Sequence, residues 1–173
     1  MPSFLFLLSI AAMKLSPTII VKRQVPGLSE RALTEFVAKA SRAAGLRGAV
    51  TVLLTNSREM RNLNERFRGK DCSTDVLSFP PPNFVEGFAG DIAISLDVAG
   101  QNARALGHSV SDEVRILVLH GVLHLAGYDH EGDDGEMAKK ESRLRRRLGL
   151  PSALIERAAV KPRLATHPAR LRT

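Results

Sequence analysis

Three histidines within one short stretch are the residues of this sequence best suited to chemistry: His120-Gly-Val-Leu-His124-Leu-Ala-Gly127-Tyr-Asp-His130. On an α-helix, residues i and i+4 stand one turn apart on the same face, so His120 and His124 can turn two imidazoles toward one ion. A ligand six residues further on cannot come from that face of a straight helix. The chain has to turn back, and Gly127 stands where a left-handed C-terminal cap would let it do so, carrying His130 round to complete a set of three nitrogens. Three protein ligands with a fourth position open is the arrangement of catalytic zinc; structural zinc has its positions closed by protein. The surrounding run, ILVLHGVLHLAG, is apolar on nearly all sides and predicts a buried helix. One histidine there would read as a hydrogen-bonded core residue; two at i, i+4 with a third beyond a glycine turn read as a metal site. His108 and His167 lie outside the pattern and receive no role.

The spacing is also that of the metzincin proteases, with one part missing. Those enzymes carry a glutamate directly after the first histidine as general base. Here that position is Gly121, so the scaffold for an ion is present and the proteolytic base is not.

Elements of both kinds must position these residues. Residues 18–25 (TIIVKRQV) read as a strand ended by Pro26-Gly27. Ser29 offers an N-cap to a helix with Leu33, Phe36, Val37 and Ala40 at helical spacing, closed by Gly45. Residues 48–55 (GAVTVLLT) read as a second strand, after which Asn56 or Ser57 caps a helix running to about Phe67. A polar loop at 68–75 leads into a short strand at 76–79, stopped by three prolines. Residues 90–95 read as a fourth strand and 96–106 as a helix. Ser109 and Asp112 form a capping-box pair that starts the histidine helix, which runs to Ala126. A last helix covers 133–148, ended by Gly149 and Pro151. Helices interleaved with four short strands predict an α+β fold: a single mixed four-stranded sheet covered by helices, with a zincin-like helix bearing the histidines.

A chain of 173 residues, 44% hydrophobic, fits one domain and not two. The lone Cys72 excludes an internal disulfide and a thiolate-rich zinc knuckle, and points to a reducing compartment. The net charge of +7 is unevenly spread: from Lys139 onward there are eleven Lys or Arg against two acids, whereas the preceding residues are close to neutral. Such a basic end points to a polyanion, nucleic acid ahead of a membrane surface, with a solvated tail as the alternative. The apolar run at 4–10 is preceded by no Lys or Arg and is far short of the roughly 20 residues a membrane span needs. Met13-Lys14 would serve as an ordinary start. The expected organisation is therefore an N-terminal extension over 1–13, disordered or mis-assigned, a functional domain over 14–150, and a basic extension over 151–173. A cleaved secretion signal is the alternative for the first of these.

Three motifs together resemble the YbeY family of bacterial endoribonucleases: HGVLHLAGYDH at 120–130, FRGKDCSTDVLSFP at 67–80 and GDIAI at 90–94, in order and spacing over about residues 21–148. The resemblance implies a zinc-bound α+β fold, a cytoplasmic location without membrane attachment, and cleavage of single-stranded RNA. It further implies a part in 16S rRNA 3′-end maturation and ribosome quality control. Pre-16S rRNA, the ribosome or its 30S subunit, and ribosomal proteins are the partners it suggests. It assigns His120, His124 and His130 to the family's three metal ligands and Arg68 to its active-site arginine. Ser73 stands where the family commonly has proline, and both extensions fall outside the shared core.

A metal held by three neutral imidazoles keeps its full charge, can lower the pKa of a water toward about 7, and can polarise a phosphoryl oxygen. The donors suit Zn2+, Ni2+ or another divalent ion such as copper alike. Arg68 suits a phosphate clamp, because its planar fork pairs with two oxygens; a salt bridge to Asp71 or Asp75 is the alternative. With Gly121 in the usual base position, proton transfer is left open among the metal's own hydroxide, Asp129, Glu131 and the RNA 2′-hydroxyl. Asp129 reads rather as a partner that orients a ligand imidazole. No Trp and a single Tyr, Tyr128, argue against a stacking platform. Arg68, Lys70 and the run Arg143 to Arg147 are the cations offered to an RNA backbone, although that run reads first as a solvated helix face. Two other functions stand beside the nuclease: a non-catalytic ribosome-assembly factor with a structural metal, and a metalloprotease, disfavoured by Gly121.

Overall fold

Four strands, β1 (Thr18–Val21), β2 (Ala49–Thr55), β3 (Val76–Phe79) and β4 (Phe88–Ser95), form one sheet in the order β1-β2-β4-β3. β1, β2 and β4 run parallel and β3 pairs antiparallel with β4, so the sheet is mixed, as the sequence predicts. The structure, a computed structural model, describes residues 17–81, 86–130 and 132–151. The extension at 1–13, Glu131 and the basic extension beyond Pro151 lie outside these residues.

Five helices accompany the sheet among the described residues: α1 (Glu30–Ala44), α2 (Ser57–Arg68), α3 (Leu96–Leu106), α4 (Val110–Leu125) and α5 (Glu136–Leu148). Ser29, Asn56, Ser95 and Ser109 each cap the following helix by accepting a backbone N–H three residues on. The two largest differences from the sequence reading lie at the end of β1 and the start of α5. β1 ends at Val21 and not at Val25, because Pro26 has no N–H for a ladder and a bridge between Val25 and Leu28 bends the chain away. α5 begins at Glu136 and not at Asp133: the Asp133 carboxylate instead accepts from the N–H groups of Gly135 and Met137, at 2.8 and 2.7 Å.

The central strands are buried on both faces, so alternate residues feed two cores. Val50, Val52, Leu54, Ile92 and Ile94 join α1 and α4 in the larger one. Leu53, Leu77 and Ala93 meet Met60 and Leu63 of α2 in the smaller. α4 packs on α1, α3, β3 and β4, and Val114, Ile116, Leu117, Val118, Leu119, Val122 and Leu123 are fully buried. Its five β-branched residues cost roughly 0.5 kcal/mol each in helix propensity. Burial at roughly 1.5–3 kcal/mol per side chain easily outweighs that. The helix that carries the histidines is held by tertiary packing, not by its local preference.

Candidate metal centre

α4 ends in a paired-bond cap. Ala126 closes the helix, Gly127 adopts a φ of +89°, the Gly127 N–H bonds to the His124 carbonyl at 3.0 Å, and the Tyr128 N–H bonds to the Leu123 carbonyl at 3.1 Å. This is the left-handed turn expected of Gly127, and it returns the chain so that His130 faces the helix. The Nε2 atoms of His120 and His124 lie 3.1 Å apart, and one nitrogen from each of the three rings falls within 4.8 Å of the others. The ring centroids are 4.7, 5.3 and 5.7 Å apart. A tetrahedral zinc ion with bonds of about 2.0–2.1 Å needs nitrogens about 3.4 Å apart. The helical pair is already there, and His130, exposed on its turn, has at most about 1.4 Å to close. The donor set therefore fits one ion.

Burial first, then the neighbouring charges of His120 and His130, lowers the His124 pKa from 6.5 to about 4; Asp129 opposes this. His124 is thus a neutral imidazole at physiological pH, the form in which it can ligate a metal. The native site refuses a proton that the unfolded chain accepts near pH 6.5, so the metal-free protein should lose stability as pH falls from 6.5 toward 4. Urea midpoints across this window, compared between the parent and His124→Ala, check it; equal pH dependence in the two would contradict the assignment.

The floor of the site depends on close approach. A Cβ on Gly121 would stand 3.0 Å from Ile92 Cδ1, Ile92 Cγ2 and Ser78 Oγ, and Ser78 Oγ donates to the Gly121 carbonyl at 3.3 Å. The position that holds glutamate in metzincins is therefore pressed against β3 and β4, where even a Cβ requires the Ile92 and Ser78 side chains to give way.

Arg68, in the last turn of α2, lines the same cleft as the three histidines, a cavity of about 520 Å³ that also takes in Asp75, Ser78 and Asp129. Neither carboxylate suggested as its ion-pair partner is so used. Asp71 makes a two-point pair with Arg61, while Asp75 accepts from the Val76 N–H at 2.8 Å and the Thr74 hydroxyl at 3.2 Å. Arg68 has no ion pair among the described residues and its side chain is exposed. Asn64, buried at the end of α2, ties down the loop that follows through the Cys72 carbonyl at 2.8 Å.

Two residues escape the sequence reading. The carboxylate hydrogen-bonded to His120 is that of Glu141, 3.0 Å from Nδ1, whereas Asp129 lies exposed on the cleft and acts on His124 through its charge. Arg145, within the run that reads as a solvated face, is buried beside Glu141, although Arg143, Arg146 and Arg147 are exposed. A signal for both exists in the spacing: Met137, Glu141, Leu144, Arg145 and Leu148 recur at i, i+4, i+7, i+8 and i+11, the pattern of a buried helical stripe. His108, given no role, pairs with the fully buried Glu113 at 2.7 Å.

A mixed-sheet α+β fold, a buried helix and its capping turn converging three imidazoles, and an arginine across an open cleft define a hydrolase scaffold with room for one metal ion. Comparison with known proteins narrows this. A family model described as Endoribonuclease YbeY matches residues 16–149, and the chain belongs to that family. A protein of Koribacter versatilis named Endoribonuclease YbeY is 60% identical over 139 residues, 80% of this chain and 90% of its own length. One of the same name from Solibacter usitatus is 44% identical over 140 residues, 81% and 93% of the two chains. The solution structure of TM1509 from Thermotoga maritima superposes with a TM-score of 0.55 at 30% identity, covering 83% of this chain and 93% of that one. No helix among the described residues is long and apolar enough to cross a membrane.

Proposed function

We propose that the chain cuts single-stranded RNA in the cleft between its three histidines and Arg68, and that it acts in the cytoplasm on the 3′ end of pre-16S rRNA, at the ribosome or its 30S subunit. Endoribonuclease activity comes with membership of the family; the assignment of the cut to these residues is our reading. One observation carries it: an exposed arginine without an ion pair among the described residues shares a cleft with three imidazoles whose nitrogens converge.

His120, His124 and His130 would hold the ion, for which Zn2+ is the first choice and Ni2+ the second; when bound it supplies Lewis-acid polarisation of a phosphoryl oxygen and an acidified water. Arg68 pairs its fork with two phosphate oxygens and orients the scissile group. Its position in the last turn of α2, followed by Gly69 and the exposed Lys70, sets cations along the path of a backbone. Gly121 offers no base, so proton transfer falls to Asp129 on the cleft, the RNA 2′-hydroxyl, the acidified water that a bound ion would supply, or Glu131, which lies outside the described residues.

The test uses a fluorescent single-stranded RNA oligonucleotide. Cleavage should stop with a chelator and return with added Zn2+. Arg68→Ala should lower kcat/KM by roughly 100-fold while leaving folding and metal content unchanged, and Arg68→Lys should restore only part, because an ammonium is a point charge. Cleavage indifferent to the chelator overturns the metal reading. Binding of RNA without cutting would favour an assembly factor, and digestion of casein would revive the protease.

A further inference from the structure

Beneath the site, α5 carries a buried ion pair. Glu141 Oε2 lies 3.0 Å from His120 Nδ1, and its other oxygen lies 2.9 Å from Arg145 Nε. Both side chains are only 2% exposed, and Arg145 Nη1 donates to the Pro151 carbonyl at 3.1 Å. An ionised carboxylate can only accept hydrogen bonds, so Nδ1 of His120 carries the ring proton. Nε2 is then left with its lone pair, and Nε2 is the nitrogen that lies 3.1 Å from its counterpart on His124. Two opposite charges in a core are expensive, and an apolar pair of similar volume would often hold the helices together as well or better. Packing alone therefore does not account for them.

We propose that Glu141, held in place by Arg145, is a positioning residue of the metal centre. It sets the tautomer and rotation of the His120 ring and leaves the Nε2 lone pair to face the site, so that this ligand is oriented before an ion arrives. Because the pair comes from α5, the centre depends on the docking of a helix that supplies none of the three imidazoles.

The inference rests on the reading of the histidines as metal ligands, and the experiment separates the two. Ring nitrogen shifts of histidine-labelled, metal-free protein should place the His120 proton on Nδ1 in the parent. In the double variant Glu141→Leu/Arg145→Met, which keeps the core filled without stranding a charge, that preference should be lost. Zn2+ affinity by chelator competition should then weaken by roughly 10- to 100-fold, with the unfolding transition retained. Glu141→Gln, whose amide oxygen can still accept, should bind Zn2+ more tightly than the double variant. A folded double variant with parental ring shifts and parental Zn2+ affinity overturns this proposal alone. A parent with its His120 proton on Nε2 overturns it whichever variants fold. A parent that binds no Zn2+ removes the metal reading and this proposal together.

Discussion

Purified His120→Ala protein should carry less than a tenth of the parent's metal and cut RNA on the order of 1,000-fold more slowly, a loss of about 4 kcal/mol in transition-state stabilisation. Two features of the site make this the most damaging of the three histidine replacements. His120 is the deepest ligand, with 12% of its side chain exposed, and it is the one bonded from below to Glu141. Its removal therefore takes one of three donors from the ion and leaves a buried carboxylate oxygen without its acceptor role filled, which costs stability by roughly 1–3 kcal/mol. His130 stands exposed on a turn, so His130→Ala should weaken metal binding with little effect on the unfolding midpoint. Metal analysis, RNA cleavage and denaturation of the two variants side by side check the contrast. Cleavage at the parental rate by folded His120→Ala protein would remove the centre from the mechanism.

Replacing Gly90 should do to the fold what replacing His120 does to the chemistry. Gly90 lies in β4 beside the register shift at Ala49 and Val50, with a φ of +139°, a region essentially closed to residues with a Cβ. A Cβ there would fall 2.6 Å from the Phe79 carbonyl oxygen and 2.7 Å from Leu125 Cδ2. The first of these is backbone at the end of β3 and the second lies at the end of α4, so relief requires moving an element that borders the cleft. Backbone strain and overpacking each cost roughly 1–3 kcal/mol, and Gly90→Ala should lose about 3 kcal/mol or more. That is a large share of the roughly 5–15 kcal/mol that holds a domain together, and Tm should fall by roughly 10 °C. Gly127 supplies the comparison. Its φ is also positive, but nothing lies within 4 Å of where a Cβ would stand, so Gly127→Ala should cost only the left-handed backbone contribution of roughly 1–2 kcal/mol. Equal midpoints for the two alanine variants would show that close approach at Gly90 contributes nothing.

Much of the centre is local and therefore legible in order and spacing. Four residues of helix bring His120 and His124 onto one face, and one glycine after them permits the turn toward His130, because helical pitch and backbone sterics act over a few residues. The same holds for the caps at Ser29 and Ser109 and for the apolar stripe of α1, where side chains bond or pack within a turn of themselves. Arg68 could be named from its motif, but whether it would face the cleft or a carboxylate turned on Arg61 capturing Asp71, a choice between two side chains ten positions apart.

From the order of its residues alone, then, the chain determined where four of its five described helices begin, that one of them would be buried, and that three imidazoles could meet at its end. Only the folded molecule decided that α5 would lay Glu141 against His120 across 21 positions, that Arg145 would be buried while its neighbours stay exposed, and that Gly90 and Gly121 would let strand and helix touch. The physical reason is range: pitch, caps and backbone sterics are settled within a turn of helix, whereas which buried charge meets which ring depends on how whole elements pack.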